Sequence, residues 1–287
     1  MESFAKRRTW GPLPRYPLVD AYVPPKDQKF IVIAGPCSVE SAEQITHVAK
    51  VVSSLGATHL RGGVFRAGTY PGPNFGLIDR ALIEAFAQAA KSNGLKCIIE
   101  VLDYSETMLA TIADYADCFQ IGCRSMQNYT LLRKVGAYGR QTFLKRHPGT
   151  TIDEFLGAAE HLLTASAYCD PVLIERGSST HMNHVRWDLS LSIIPAVQEI
   201  TDIPILCDAS HGTGRRDLVE PMTLAGVAAG ADGILVETHP DPEKSLSDAD
   251  QAVGLDTFMS IMSNVTAIRK VLKPRWESPT WSNQPPM

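Results

Sequence analysis

Nowhere does the chain carry a run of about 20 uninterrupted apolar residues, so no membrane-spanning helix is expected. Cysteine is sparse, six in 287 residues, scattered singly and with no CxxC pair. That argues against a disulfide framework and reads as reduced thiols in a cytoplasmic protein. Excess positive charge is lacking too: the formal net charge is −4, without the basic stripe of a nucleic-acid binder. The opening MESFAKRRTW has no apolar run after its basic residues and is not read as a secretory signal.

What is present is ordinary globular composition, 44% hydrophobic and 20% charged. The length suits one large α/β barrel better than two small domains, and a core of that size can hold a buried site. Residues 1–29, rich in Pro, Arg and Lys, read as an extended arm, which could pack on a neighbouring barrel. Residues 30–272 read as the catalytic barrel and residues 273–287 as a polar tail, neither end being long enough for a regulatory domain.

Within the central region, strand-like and helix-like segments alternate. Short apolar runs at 30–35, 58–64, 96–102, 118–122, 142–146, 171–176, 204–210 and 233–239 have the near-continuous hydrophobicity of buried parallel strands. Helical patterns follow at 41–55, 77–93, 105–115, 126–136, 151–167, 188–199, 218–230 and 252–271, with Thr151 and Glu154 spaced as a capping box. Strict alternation means a parallel sheet, and eight units suffice to close a (β/α)8 TIM barrel. A doubly wound open sheet shares the pattern, but no glycine fingerprint follows the first strand to favour it.

In such barrels the chemistry sits where strands end. Those positions read Cys37, Arg61, Glu100, Arg124, Lys145-Arg146, Glu175-Arg176, Asp208 with His211, and Glu237 with His239. Any one of them has a plain reading as a solvated strand terminus. Together, Arg61, Arg124, Lys145 and Arg176 would concentrate positive potential in a cleft and select a small, multiply charged anion. Cys37, His211, Glu237 and Asp248 form a second set, mixing soft and hard donors from separate loops. It suits a divalent first-row metal (Mn, Fe, Co or Zn) with a position left open. The competing readings are a small buried hydrophobe for Cys37 and a loop acid or helix cap for Asp248. His147, His181, His184 and His239 read as solvent-facing or supporting residues.

The words IAGPCSVES, LRGG, EVLD, QIGCRSMQN, LKR, ERG, SHGTGRRDLVEPM and AAGADGILVETHPDPEKSLSDADQ resemble those of the type I 3-deoxy-D-arabino-heptulosonate 7-phosphate (DAHP) synthases. The similarity is greatest to the short β-subgroup, itself related to 3-deoxy-D-manno-octulosonate 8-phosphate synthase, and runs from about Phe30 to about Leu272. It implies condensation of phosphoenolpyruvate with erythrose 4-phosphate, the first step of aromatic biosynthesis, in a homodimer or homotetramer. It implies Cys37, His211, Glu237 and Asp248 as metal ligands, and Arg61 and Arg176 near the carboxylate of phosphoenolpyruvate. Arg124 and Lys145 fall on its phosphate, and Glu100 on the acid that places the attacking water. Lys145 and His211 thereby join Arg66 and Glu100 as expected catalytic groups.

One segment departs from the pattern. After LRGG the family runs x-aromatic-Lys-Pro-Arg-Thr-Ser-Pro, whereas this chain has Val64-Phe65-Arg66-Ala67-Gly68-Thr69-Tyr70-Pro71. Arg66 replaces the lysine between the two substrates and is expected to act electrostatically on the aldehyde oxygen. Thr69 is retained as an expected substrate contact. Gly68 replaces the arginine for the phosphate of erythrose 4-phosphate. A charge-assisted hydrogen bond contributes roughly 1.5–3 kcal/mol, so that phosphate should bind about tenfold to a hundredfold worse unless Arg66, Arg215 or Arg216 compensates. The segments after ERG, Gly177-Ser178-Ser179-Thr180-His181 and Val185-Arg186-Trp187-Asp188-Leu189-Ser190, depart as well. An intact donor side with a rewritten acceptor side leaves open the same chemistry on a different aldehyde. A non-catalytic barrel is the third reading, and its mark would be loss of metal ligands, which are all present.

Overall fold

In the computed structural model, residues 16–64, 79–102 and 105–272 are described. The apolar runs become eight short strands: β1 (Ile31–Gly35), β2 (His59–Arg61), β3 (Lys96–Val101), β4 (Cys118–Ile121), β5 (Gln141–Lys145), β6 (Asp170–Glu175), β7 (Ile205–Asp208) and β8 (Gly233–Glu237). Each pairs in parallel with the next, and β1 pairs with β8 from Ile31↔Gly233 to Gly35↔Glu237, closing the barrel. Around it lie α2 (Ala42–Ser54), α3 (Arg80–Ser92), α4 (Glu106–Ala113), α5 (Tyr129–Gly136), α6 (Ile152–Ala165), α7 (Ile193–Gln198), α9 (Arg216–Ala228) and α10 (Leu255–Val271). This is the expected TIM barrel.

Helix starts follow the local chemistry. Ser41, Asp79, Ser105 and Asn128 each accept a hydrogen bond from an otherwise orphaned N–H of the first turn. Thr151 and Glu154 form the capping box that their spacing predicts. Two expectations need correction. The helix predicted over 188–199 begins only at Ile193, because Ser178 and Asp188 exchange backbone hydrogen bonds of 2.8 and 3.0 Å and keep the preceding loop extended. A one-turn helix, α8 (Ala209–Thr213), follows β7 directly, with the Asp208 side chain capping His211 N.

The described part of the arm is not extended throughout. Residues Pro17–Asp20 form a short helix, α1, with Pro at its first position. Glu160 of α6 accepts hydrogen bonds from Leu18 N and Val19 N, and Thr201 Oγ1 donates to Val19 O at 2.7 Å. This segment therefore rests on its own barrel, with Val19 fully buried.

Side chains alternate along each strand. Ile31, Ile33, Ile98, Cys118, Phe143, Val172, Ile174, Leu206 and Leu235 fill the barrel interior as one cluster. Two residues further toward the C-terminal end these inward sets reach Gly35, Glu100, Gln120, Lys145, Arg176, Asp208 and Glu237, and on β2 the same step from His59 reaches Arg61. The interior thus has an apolar floor and a polar mouth, and the site can open only at the mouth.

Beneath that floor lies a polar chain. His59 shares hydrogen bonds with Thr58 Oγ1 (2.7 Å) and Gln141 Oε1 (3.0 Å), Gln141 donates to Asp170, and Tyr22 of the arm donates to the other Asp170 oxygen. Burial holds His59 down to about 4 from its ordinary 6.5; Lys96 adds to the shift, while Gln141 and Asp117 oppose it. The unfolded chain therefore takes up this proton near pH 6.5 and the native one only near pH 4. Stability should fall through that window by about 3 kcal/mol on acidification. Urea unfolding from pH 7 to pH 4 checks this, and His59→Gln should remove that part of the slope whatever its stability at neutral pH.

Candidate active site

Strand ends converge on the mouth. Cys37 follows β1, and Gly35 (φ 148°) lets the chain pass Arg61, whose carbonyl oxygen a Cβ would meet at 1.9 Å. Glu237 ends β8 and is completely buried. Asp248 lies in the β8–α10 loop with φ 50°, a left-handed backbone rare for a non-glycine residue. Among the described residues, donor atoms of Cys37, Glu237 and Asp248 lie within 4.8 Å of one another. Cys37 Sγ donates to Asp248 Oδ2 at 3.2 Å. His211, carried by α8, meets this group through Glu237, with Nε2 3.1 Å from Oε1. Three of the four residues expected as metal ligands thus form one donor group, with His211 beside it at Glu237, and a mixed soft and hard set of this kind would suit a divalent ion with an open position.

Their electrostatics are coupled. Burial opposes the charge on Glu237, but His211 and Arg61 outweigh it and hold the carboxyl well below the usual carboxylate range. Asp208 behaves alike, with His211 and Lys145 overcoming its burial. Burial also disfavours a charged His211, yet Asp208 and Glu237 raise it above its ordinary value. Burial and Glu237 push the Cys37 thiol up, so without an ion it stays protonated. Asp208 lies 2.8 Å from His211 Nδ1, which directs Nε2 toward Glu237 and the donor group.

The expected anion-binding cations sit around these donors. Arg61 Nη1 pairs with Glu237, while its buried Nε has no hydrogen-bond partner among the described residues. Arg176 Nη2 donates to His211 O at 3.2 Å and its guanidinium lies 5.5 Å from the Trp187 ring centroid. Arg176 Nε and Nη1 are buried without an acceptor. Buried guanidinium N–H groups left unpaired are costly, and an anionic ligand would satisfy them. Lys145 Nζ is 3.0 Å from Asp208 and 3.3 Å from His211, so it is tied to the metal side as well as to the mouth. Arg124 is on an exposed 3-10 turn (Cys123–Ser125) after β4. Glu100 accepts from Gln120 Nε2 at 3.2 Å, and Gly122 leaves room for it, since a Cβ there would come 2.1 Å from Oε1.

Other expectations are resolved differently. Arg66, Gly68 and Thr69 lie outside the described residues. Arg216 already has partners: Nε donates to Ala252 O, Nη2 to Ala249 O and Nη1 to Glu243. Arg215 is engaged by Asp217 and by His184 O. His239 supports the loop, 3.3 Å from Glu40. Arg186 and Gln251, which the sequence did not single out, contact Asp248 and Glu237. Gln251 lies three residues after Asp248 in the recognised word, the one available signal.

A closed parallel barrel whose mouth joins a Cys–Glu–Asp donor group to buried, unsatisfied arginines has the make-up of a TIM-barrel enzyme site. Residues 21–272 match the model of the DAHP synthetase I family, and the chain belongs to that family. It is 40% identical over 243 residues to the phospho-2-dehydro-3-deoxyheptonate aldolase of Thermotoga maritima, covering 85% of this chain and 71% of that protein. The 2-dehydro-3-deoxyphosphooctonate aldolase of Variovorax paradoxus shares 29% over 272 residues, 86% of this chain and 93% of that one. The crystal structure of the Thermotoga maritima DAHP synthase superposes with a TM-score of 0.79 at 38% identity, over 85% of this chain and 71% of that one. A truncated form of the same enzyme gives 0.77 at 38% identity, covering 85% and 88%.

Arg146, beside Lys145, belongs to the scaffold. Its Nε and Nη2 grip both oxygens of Glu175 at 2.5 and 3.0 Å, Nη2 reaches Ser178 Oγ at 2.6 Å, and Nη1 donates to Thr150 O at 3.0 Å. Both partners are essentially inaccessible to water. Breaking a buried ion pair from one side leaves a bare charge, so Arg146→Ala should lower stability by about 3–5 kcal/mol. The urea midpoint measures this, and a change below about 1 kcal/mol would refute the structural assignment.

Proposed function

We propose that this chain condenses phosphoenolpyruvate with erythrose 4-phosphate, giving DAHP and phosphate, with a divalent ion (Mn, Fe, Co or Zn) on Cys37, His211, Glu237 and Asp248. The observation that carries this is the buried, unpaired N–H set of Arg61 and Arg176 beside the Cys37–Glu237–Asp248 donors. The relative sharing 40% identity bears the name of that activity. All six cysteines are free, which supports a cytoplasmic setting.

Arg61 and Arg176 would grip the substrate carboxylate as forked donors, and Arg124 and Lys145 its phosphate. Gripping both ends of a rigid three-carbon acid fixes the face its carbon 3 presents to the aldehyde. The bound ion supplies Lewis-acid polarisation of the aldehyde oxygen. Carbon 3 bonds to the aldehyde carbon, water adds at carbon 2, and the resulting hemiketal expels phosphate. Glu100, oriented by Gln120, would place that water and accept its proton. Arg66 would stabilise negative charge on the former aldehyde oxygen without giving up a proton.

A different aldehyde is the second reading, favoured by Gly68 where the family has arginine and by Arg216 being held by the β8–α10 loop. Phosphoenolpyruvate consumption by the Mn-loaded chain, with erythrose 4-phosphate and a panel of other aldehydes, separates the two. Turnover with erythrose 4-phosphate that a chelator abolishes supports the first. Turnover only with another aldehyde supports the second.

Arg176→Met removes charge-assisted hydrogen bonds of roughly 1.5–3 kcal/mol, so phosphoenolpyruvate should bind about tenfold to a hundredfold more weakly. Calorimetric titration checks this, and metal uptake should stay within a factor of about two. Unchanged affinity for phosphoenolpyruvate would remove Arg176 from the carboxylate site.

A further inference from the structure

The contacts around Asp248 and Glu237 go beyond the donor set. Arg186, on the β6–α7 loop, reaches across the mouth to the β8–α10 loop. Its Nη2 donates to Asp248 Oδ1 at 3.2 Å and its Nη1 to Gln251 Oε1 at 2.9 Å. Gln251 is buried and passes the contact inward, its Nε2 donating to Glu237 Oε2. One guanidinium therefore holds one carboxylate directly and a second through a single amide.

The polarity of this chain is fixed. Arg186 can only donate, so Gln251 must turn its oxygen outward and its NH2 toward Glu237. Each carboxylate then has one oxygen held from outside and one presented inward. Asp248 Oδ1 is taken by Arg186, and Oδ2 faces Cys37 Sγ at 3.2 Å. Glu237 Oε2 is taken by Gln251, and Oε1 faces the mouth, where it meets His211 Nε2 at 3.1 Å and Arg61 Nη1. Arg186 is itself anchored, its N donating to Thr213 O at 2.8 Å, and Gly214 leaves it space, since a Cβ there would come 2.7 Å from Arg186 Cβ. Asp248, strained at φ 50°, needs such support to keep its direction.

We infer that Arg186, acting with Gln251, is a positioning residue that sets Asp248 and Glu237 as divalent-ion donors and makes ion retention depend on the β6–α7 loop. This rests on the metal reading above. The guanidinium, always charged, also offsets part of the negative charge that the Cys37 thiolate, Glu237 and Asp248 bring together.

The test is titration of the full chain with Co2+, following the thiolate-to-cobalt absorption band and fixing affinity by competition with a chelator. Loss of an outer partner of a metal ligand weakens affinity about tenfold to a hundredfold, and Arg186→Met and Gln251→Leu should each do so. The double variant should be little weaker than Arg186→Met, because the two act in series on Glu237. Arg186→Lys, which keeps the charge but not the fork, should recover part of the loss. Arg133→Met removes an exposed arginine of α5 bonded to His161, away from both loops, and should leave affinity unchanged. Thermal melts without metal establish that each variant is folded, and Arg186→Lys and Arg133→Met carry the comparison if a buried variant is not. Arg186→Met or Arg186→Lys binding Co2+ like the wild type overturns the inference, as does an equal loss in Arg133→Met. A wild-type chain that develops no band overturns the metal reading, and this inference with it.

Discussion

A carboxylate taken out of water is several kcal/mol unfavourable unless donors surround it, and Glu237 at the end of β8 is wholly buried. The mouth supplies those donors from every side. Arg61 comes from β2, His211 from α8 and Gln251 from the β8–α10 loop, while Ser210 Oγ accepts from Glu237 N at 3.0 Å. Asp208 orients His211, and Lys145 pairs with Asp208. Neutralising one buried charge thus recruits β2, β5, β7 and the loops after β6 and β8 into one network.

That network explains why a single sequence could reveal so much of the site. Inward positions repeat every two residues, so Leu235 and Glu237, or Phe143 and Lys145, mark the change from floor to mouth once the strands are placed. The roles of the four metal-type residues and of the Arg61–Arg176 pair came from the resemblance, because by residue type alone each also reads as a solvated terminus, a small buried side chain or a loop acid. Arg186 and Gln251 did not stand out, because their meaning is a contact between loops 65 residues apart in sequence. The partners of Arg216 were hidden for the same reason: in sequence it is one of three arginines that could compensate for Gly68, and in space it holds the backbone of 249–252. The late start of α7 has a similar origin, since Ser178 and Asp188 pair across a loop whose local pattern favours helix.

The acceptor side can be argued from what is already engaged. Arg216 and Arg215 both have carboxylate or carbonyl partners, so recruiting either for an acceptor phosphate would break existing hydrogen bonds. The β6–α7 loop sets Trp187 against Arg176 and Arg186 against Asp248. A change in that loop is therefore felt at the anion side and the donor side together, whichever aldehyde enters between them.

Charge balance joins those two sides. In a low-dielectric mouth an unbalanced charge is heavily penalised. Arg61, Lys145 and Arg176 face Asp208, Glu237 and Asp248, and Arg61 spends part of its guanidinium on Glu237 while its Nε remains unpaired. An anion arriving alone would have to compete with Glu237 for Arg61. A dication arriving alone would meet that guanidinium and a raised His211. On the proposed reading, the dication would take over the neutralisation of Glu237 and the anion that of Arg61, so that each would relieve the opposition the other meets.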